Sequence, residues 1–147
     1  MSESTQTTSP TRSRKHFRTT GIITIVVGIT FAVVGAVAYV MVSQTLADQR
    51  IVVADDADFL AGDDVDGPFS AYAQAMVIGK HAEEIGGGKT YAELPQDDPA
   101  RDSVMTASFL QASLFTSVVA FGVAAMAFVL GLVLALIGRV MMQVSRE

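Results

Sequence analysis

Apolar and charged residues are segregated along this chain rather than interleaved. No charged side chain lies between Thr19 and Ala47, and none lies between Ser103 and Gly138. A bilayer hydrocarbon core of about 30 Å needs about 20 apolar residues in a helix, so each run is long enough to cross. In lipid the backbone must satisfy its own hydrogen bonds, and two isolated runs of this length do so only as helices. The spans predicted are Gly21–Val42 and Leu114–Ile137, inside helical segments 21–45 and 114–138.

Between the runs the pattern changes. Ile51-Val52-Val53 reads as a short extended piece, and Gly67-Pro68 opens a helix over Phe69–Ile85 that Gly86-Gly87-Gly88 ends. Phe69, Tyr72, Met76 and Lys80 recur at helical spacing, with Ala73 and Val77 beside them. Phe69, Tyr72 and Met76 are therefore the expected packing face of a small cap. Asp98-Pro99 reads as an N-cap followed by proline in the first helical position, with Asp102 in the first turn. Nothing breaks the helix from there to about Gln143, roughly 65 Å of chain at 1.5 Å per residue. Residues 99–113 then form a projecting stalk that offers Val104, Met105, Ala107 and Phe109 to the helix over 69–85. The fold class predicted is an all-α membrane protein: a two-helix transmembrane antiparallel hairpin with a small helical extracytoplasmic cap. The cap is too short to build a large core of its own.

Small residues follow a pattern in both runs. Gly21, Gly28 and Gly35 repeat every seven residues, and Ala32 and Ala36 add four-residue steps from Gly28. Ala127, Gly131 and Ala135 are spaced by four, with Ser113, Ser117 and Ala124 nearer the start. Helices in lipid associate through close backbone approach, which small residues allow. Gly28, Ala32, Gly35, Ala127, Gly131 and Ala135 are thus the helix-packing candidates, either within one hairpin or against the helices of a partner.

The overall charge of −5 hides a division. The first twenty residues carry Arg12, Arg14, Lys15 and Arg18 against Glu3, and the last nine carry Arg139 and Arg146 against Glu147. From Leu46 to Ser108 there are four basic and thirteen acidic residues, a net −9. Basic residues flanking spans stay in the cytoplasm. The expected topology is a multi-pass protein of the cell membrane, N-in and C-in, with loop 46–108 mostly extracytoplasmic. Residues 1–20 read as a disordered basic tail, 46–98 as an acidic outer segment, and 139–147 as a second cytoplasmic tail. A cleaved signal peptide is the competing reading of the first run, with Ala36-Val37-Ala38 as its small-residue site. The cluster Arg12–Arg18 serves as a topology signal, or also meets anionic lipid. No aromatic platform accompanies it, so nucleic acid is not an expected partner.

Candidate chemistry is sparse. The chain lacks cysteine and has two histidines, His16 and His81. No nucleophile motif, Walker A loop or dinucleotide fingerprint occurs, so no catalytic or cofactor-binding residue is assigned. Asp55-Asp56-Ala57-Asp58 and Asp63-Asp64-Val65-Asp66 make Asp56, Asp58, Asp64 and Asp66 weak metal candidates. With Gly67 as sixth residue, however, a calcium loop would begin at Gly62 and end at Ala73, which lack the carboxylates it needs. A solvated acidic loop, or a surface for a basic partner, accounts for the same residues. Neither span holds an ionisable residue, which disfavours transport by the chain alone.

Several stretches resemble a known family: Asp56-Ala57-Asp58-Phe59-Leu60-Ala61-Gly62, Gly67-Pro68-Phe69, Ala71-Tyr72-Ala73-Gln74-Ala75, Gly88-Lys89-Thr90-Tyr91-Ala92-Glu93-Leu94, Ala107-Ser108-Phe109-Leu110 and Phe121-Gly122-Val123-Ala124. They look like small actinobacterial two-pass membrane proteins often labelled "aromatic ring-opening dioxygenase, LigA-like". The resemblance covers nearly all of the chain except the tail and implies the same two-pass topology. The dioxygenase chemistry does not fit, because a non-haem iron site of that kind needs two histidines and a carboxylate facing one open position. The topology expected above puts His16 and His81 on opposite sides of the membrane. The expected function is a non-enzymatic accessory or scaffold subunit of a larger cell-envelope or respiratory assembly. Its partners would be the lipid bilayer and other membrane subunits or itself. The alternative is an extracytoplasmic ion or ligand sensor that uses the acidic cap.

Overall fold

A computed structural model describes residues 10–145. Among the described residues the fold is all-helical, with three helices: α1 over Pro10–Asp48, α2 over Pro68–Ile85 and α3 over Arg101–Val144. Two stretches, His16–Asp48 and Arg101–Val144, are long and apolar enough to cross a membrane. Only 11% and 17% of their most apolar windows are buried within the chain. A core helix of a soluble protein would bury far more.

Two boundaries correct the sequence reading. Residues 10–20, expected as part of a disordered tail, are the first turns of α1. Pro10 is compatible with a helix start, nothing between it and Gly21 breaks a helix, and extension of an existing helix needs no new nucleus. The first nine residues of that expected tail lie outside the described ones. The start of α3 is at Arg101 rather than Pro99. Asp98 accepts a hydrogen bond from Ala100 N at 2.9 Å, which closes a turn before the helix instead of capping its first residues. α2 starts one residue before the expected range, with Pro68 in its first turn and Gly86 as its C-cap. Gly87 and Gly88 follow with φ of 61° and 80°, where a side chain would be strained.

The chain divides into two compact units, one of residues up to Ala36 and from Met126 onward, the other of Val37–Ala125. In the first, α1 and α3 meet backbone to backbone. A Cβ placed on Gly28 would lie 2.6 Å from both Ala135 N and Gly131 O, and one on Gly131 would lie 2.5 Å from Gly28 O and collide with Ala32 N. Two turns away, a Cβ on Gly138 would lie 2.6 Å from Gly21 O. Gly21, Gly28 and Gly35 are buried on α1, and Gly131 and Gly138 on α3, all at seven-residue spacing. Ala32, Ala127 and Ala135 are half-buried. The pair Gly21 and Gly138 belongs to this seam, although the sequence reading placed Gly138 only at the end of an apolar run.

In the second unit a core gathers Leu46 of α1, Val53 and Val65 of the loop, Ala71, Ala73 and Ala75 of α2, and Leu114 and Phe121 of α3. Tyr39 meets the Phe121 ring edge-on at 4.8 Å. Val53 and Val65 come together because the loop doubles back. Val53 N donates to Asp63 O at 2.9 Å, Val65 N to Ile51 O at 2.9 Å, and Val52 pairs with Asp64 in a single antiparallel bridge. The expected extended piece at Ile51–Val53 is thus one side of a minimal ribbon. Alternation puts Val53 and Val65 inward and leaves Val52, Asp64 and Asp66 outward.

Candidate functional site

Several polar contacts among the described residues gather at α2, the start of α3 and the loops that precede them. α2 enters through Gly67, whose N–H donates to the Ser70 hydroxyl at 3.2 Å, and Asp66 N donates to the same oxygen at 3.3 Å. Ser70 thereby satisfies two donors at the helix start, and it is buried there. Asp66 O accepts from the Ser43 hydroxyl at 2.7 Å, and Ala54 N donates to Gln74 Oε1 at 2.9 Å. These bonds fasten the acidic loop to α1 and α2.

The cap face differs from the expected one. Phe69 is 75% exposed, and Tyr72 and Met76 are about half exposed. α2 turns Ser70, Ala71, Ala73, Ala75, Val77 and Ala82 inward instead. Small side chains let α2 approach closely, and the volume between the elements is filled from the other side by Leu46, Val53, Val65 and Leu114. Tyr72 is partnered at the edge of this core, 6.3 Å from the Phe59 ring in a stacked arrangement and 5.9 Å from Phe115 edge-on. On the stalk Val104 is buried, and Met105 and Ala107 are half-buried. Phe109, expected to face α2, is 68% exposed.

The four acidic candidates do not converge. Asp56 and Asp58 line one pocket with Phe59, Tyr72 and Lys80, whereas Asp64 and Asp66 line another with Leu60 and Phe69. No group of three potential metal-ligating side chains occurs among the described residues. Asp56 is turned toward two nitrogen-bearing side chains of α2: His81 Nε2 lies 2.8 Å from its carboxylate and Lys80 Nζ 3.7 Å. A carboxylate only accepts, so the ring nitrogen is the donor. That hydrogen bond, more than the nearby charges, holds the Asp56 carboxyl below its ordinary 3.8. His81 is therefore engaged with Asp56 rather than standing free on an exposed helix.

Between α2, α3 and the loop after Gly88 lies a cleft of about 470 Å³. Its floor includes Gly79, Ala82 and Val104; Lys80, Glu83 and Lys89 also line it, with Thr90 and Tyr91. Lys80 and Lys89 are the two lysines of the acidic segment 46–108, and both border this cleft. Gln111 joins the helices at one end by donating to Ala75 O at 3.2 Å, beside the bare backbone of Gly79. Arg101 fixes the loop that supplies Tyr91 to the cleft. Its guanidinium sits 4.2 Å from the centre of the Tyr91 ring and donates to the carbonyls of Tyr91 and Leu94. Within the loop, Glu93 accepts from Thr90 N at 2.8 Å and from the Thr90 hydroxyl at 2.9 Å, and these bonds hold its carboxyl below the ordinary 4.5.

Sequence reading missed Gly79, Gln111, Tyr91 and Arg101 as a set. Gln111 and Ala75 are 36 residues apart, so periodicity within either helix gives no sign of their contact. The Tyr91–Arg101 pair had a weak signal, an aromatic and an arginine flanking a proline-containing loop.

Compared with known proteins, the chain matches no family model, no curated protein and no solved structure.

Proposed function

We propose that this chain is a non-enzymatic, two-pass protein of the cell membrane, N-in and C-in, acting as an accessory or scaffold subunit of a larger envelope or respiratory assembly. In this reading α1 and α3 form an antiparallel transmembrane hairpin, and loop 46–108 caps it outside. The observation that carries the reading is the outward position of Phe109, 68% exposed on α3 beside the half-exposed Leu110. Both precede Leu114, the outer limit of the expected second span. α2 covers the Val104 and Gln111 side of this stalk and leaves the phenylalanine bare. In this reading the pair lies just beyond the span, where a neighbouring subunit would cover it.

The test is purification of the tagged chain from its native membrane in mild detergent, with a photoreactive residue in place of Phe109. A stoichiometric partner crosslinked through that position is the expected result. Recovery of the chain alone, without a crosslink, would refute the subunit reading.

A second reading is an extracytoplasmic sensor of a small ligand. The grouping of Lys80 and Lys89 at one cleft, in a segment of net −9, favours an anionic ligand over a cation. Calcium that raised the melting temperature of the purified protein would count against that preference.

A further inference from the structure

We propose that the unit made by the start of α1 and the end of α3 holds the phosphate headgroup of an anionic phospholipid at Arg18. The inference rests on the membrane-spanning part of the functional reading above, and not on the identity of any partner.

Arg18, Ile22, Met142 and Ser145 line a pocket of about 260 Å³. Two of its walls belong to apolar helix surface, and Arg18 is the last charged residue before the charge-free run of α1. A diacyl lipid has the same sequence of parts: a charged headgroup, then a glycerol backbone, then chains. Arg18 matches the phosphate, and Ile22, one turn deeper, matches the region where the chains begin. Arginine suits this position because its planar fork meets two phosphate oxygens at once.

The distribution of charge along the sequence supports an anion at these two ends of the chain. Six of the ten basic residues lie in the first twenty and last nine positions, with only Glu3 and Glu147 against them. The end of α3 works the other way, since its last carbonyls carry the equivalent of about −0.5 charge. The Ser145 hydroxyl also donates to Met142 O at 2.8 Å, which leaves that oxygen as an acceptor. Against that fraction Arg18 sets a full positive charge on the pocket wall. A basic pocket beside spanning helices on the cytoplasmic side is a recurrent headgroup site. A topology signal alone requires the basic residues but no pocket beside Arg18.

The experiment uses the full chain in an uncharged maltoside detergent and native mass spectrometry. Phosphatidylglycerol and phosphatidylcholine of the same chain length are titrated in parallel. The expected result is preferential retention of phosphatidylglycerol. Arg18→Gln should weaken that retention about fivefold, the factor corresponding to ~1 kcal/mol per basic residue near the surface. Arg18→Lys should fall in between, and phosphatidylcholine retention should not change. Arg18 is exposed, so both variants should keep the helical content of the unmodified chain. Equal retention of the two lipids, or an Arg18→Gln variant indistinguishable from the unmodified chain, would overturn the proposal. Displacement of the lipid by millimolar glycerol 1-phosphate would overturn the lipid as the source and point to a soluble phosphate ester. Failure of the spanning reading would show separately, as release of the chain from membranes by alkaline carbonate. Absence of a protein partner would leave the lipid result intact.

Discussion

Replacing Gly28 with alanine tests whether α1 and α3 are held by backbone contact. The added methyl group would sit 2.6 Å from Ala135 N and Gly131 O, and 3.1 Å from Ala135 Cα. All three are backbone atoms, so no side chain can rotate away. Ordinary contact begins near 3.4 Å, so the two segments must part by roughly 0.8 Å at this point. A gap of 0.5–1 Å forfeits about a quarter to a half of the dispersion energy of the atoms across it. Forcing one extra carbon into a packed interface costs about 1–3 kcal/mol. Alanine also recovers about 1 kcal/mol of helix propensity, which would mask part of that cost. Gly122→Ala supplies the correction. Gly122 lies in α3, and a Cβ added there would meet nothing within 4 Å, so this substitution carries the propensity gain without the collision. The difference between the two variants should therefore be about 1–3 kcal/mol, with Gly28→Ala the less stable.

Reversible unfolding in mixed micelles, followed by circular dichroism or a distance probe across the seam, measures that difference. The double variant Gly28→Ala/Gly131→Ala sharpens it, because each added methyl would strike the other glycine's carbonyl oxygen. Once the segments have parted for one methyl group the second meets less resistance, so the two costs should sum to more than the double variant loses. If Gly28→Ala matches Gly122→Ala within about 0.5 kcal/mol, or if the costs simply add, the seam is not the contact described here.

Three further outcomes follow from the outer unit. Arg101→Ala should loosen the loop between Gly88 and Ala100, since it removes a cation over the Tyr91 ring and the donor to two carbonyls. A loss of about 1–3 kcal/mol is expected, with Arg101→Lys recovering little, and amide exchange of that loop unchanged by either variant would refute it. The acid dependence follows from Asp56 and Glu93, whose carboxyl values are depressed in the folded chain. Their contribution is complete above their ordinary values of 3.8 and 4.5 and is lost as pH falls through the lower folded values. Protection of the Asp56 and Thr90 amides should then drop on acidification below about pH 4, and Asp56→Asn should flatten the first profile while leaving the second. Phe109→Ala should leave the melting temperature of the isolated protein within about 1 °C of the unmodified value while reducing recovery of a partner, because a mostly exposed ring contributes little to the fold.

The helices were legible because the features that specify them are local. A charge-free run announces α1 and α3, and Gly67-Pro68 with three glycines after Ile85 brackets α2. The inward face of α2 was not legible for a related reason. Periodicity weights the largest apolar residues, and that favours Phe69, Tyr72 and Met76 over a stripe of alanines. Which stripe turns inward depends on the room left by Val53, Val65 and Leu114, which come from three different parts of the chain. The same holds for the acidic clusters. Their spacing suggested four carboxylates acting together, but the ribbon between Ile51 and Val65 divides them between two pockets and turns Asp56 toward Lys80 and His81. The tail failed in the opposite direction, since a polar composition reads as disorder even where a helix already runs into it.

One rule links the two units although each is built separately. Glycines form the seam between α1 and α3, and alanines form the inner face of α2. In lipid this follows from physics, because apolar side chains gain little by leaving hydrocarbon, and close approach of backbones is what distinguishes the packed state. In water the same choice is costly. Burying alanine instead of phenylalanine gives up about 1–2 kcal/mol of transfer energy per residue, so a short helix facing water would ordinarily turn its aromatic rings inward. α2 instead leaves Phe69 mostly bare and Met76 half bare, and α3 does the same with Phe109. Under the proposed function, the outward rings would recover that energy in the bilayer interface or against another protein. Under that reading, Phe69 and Phe109 are the rings at which such contacts should be sought.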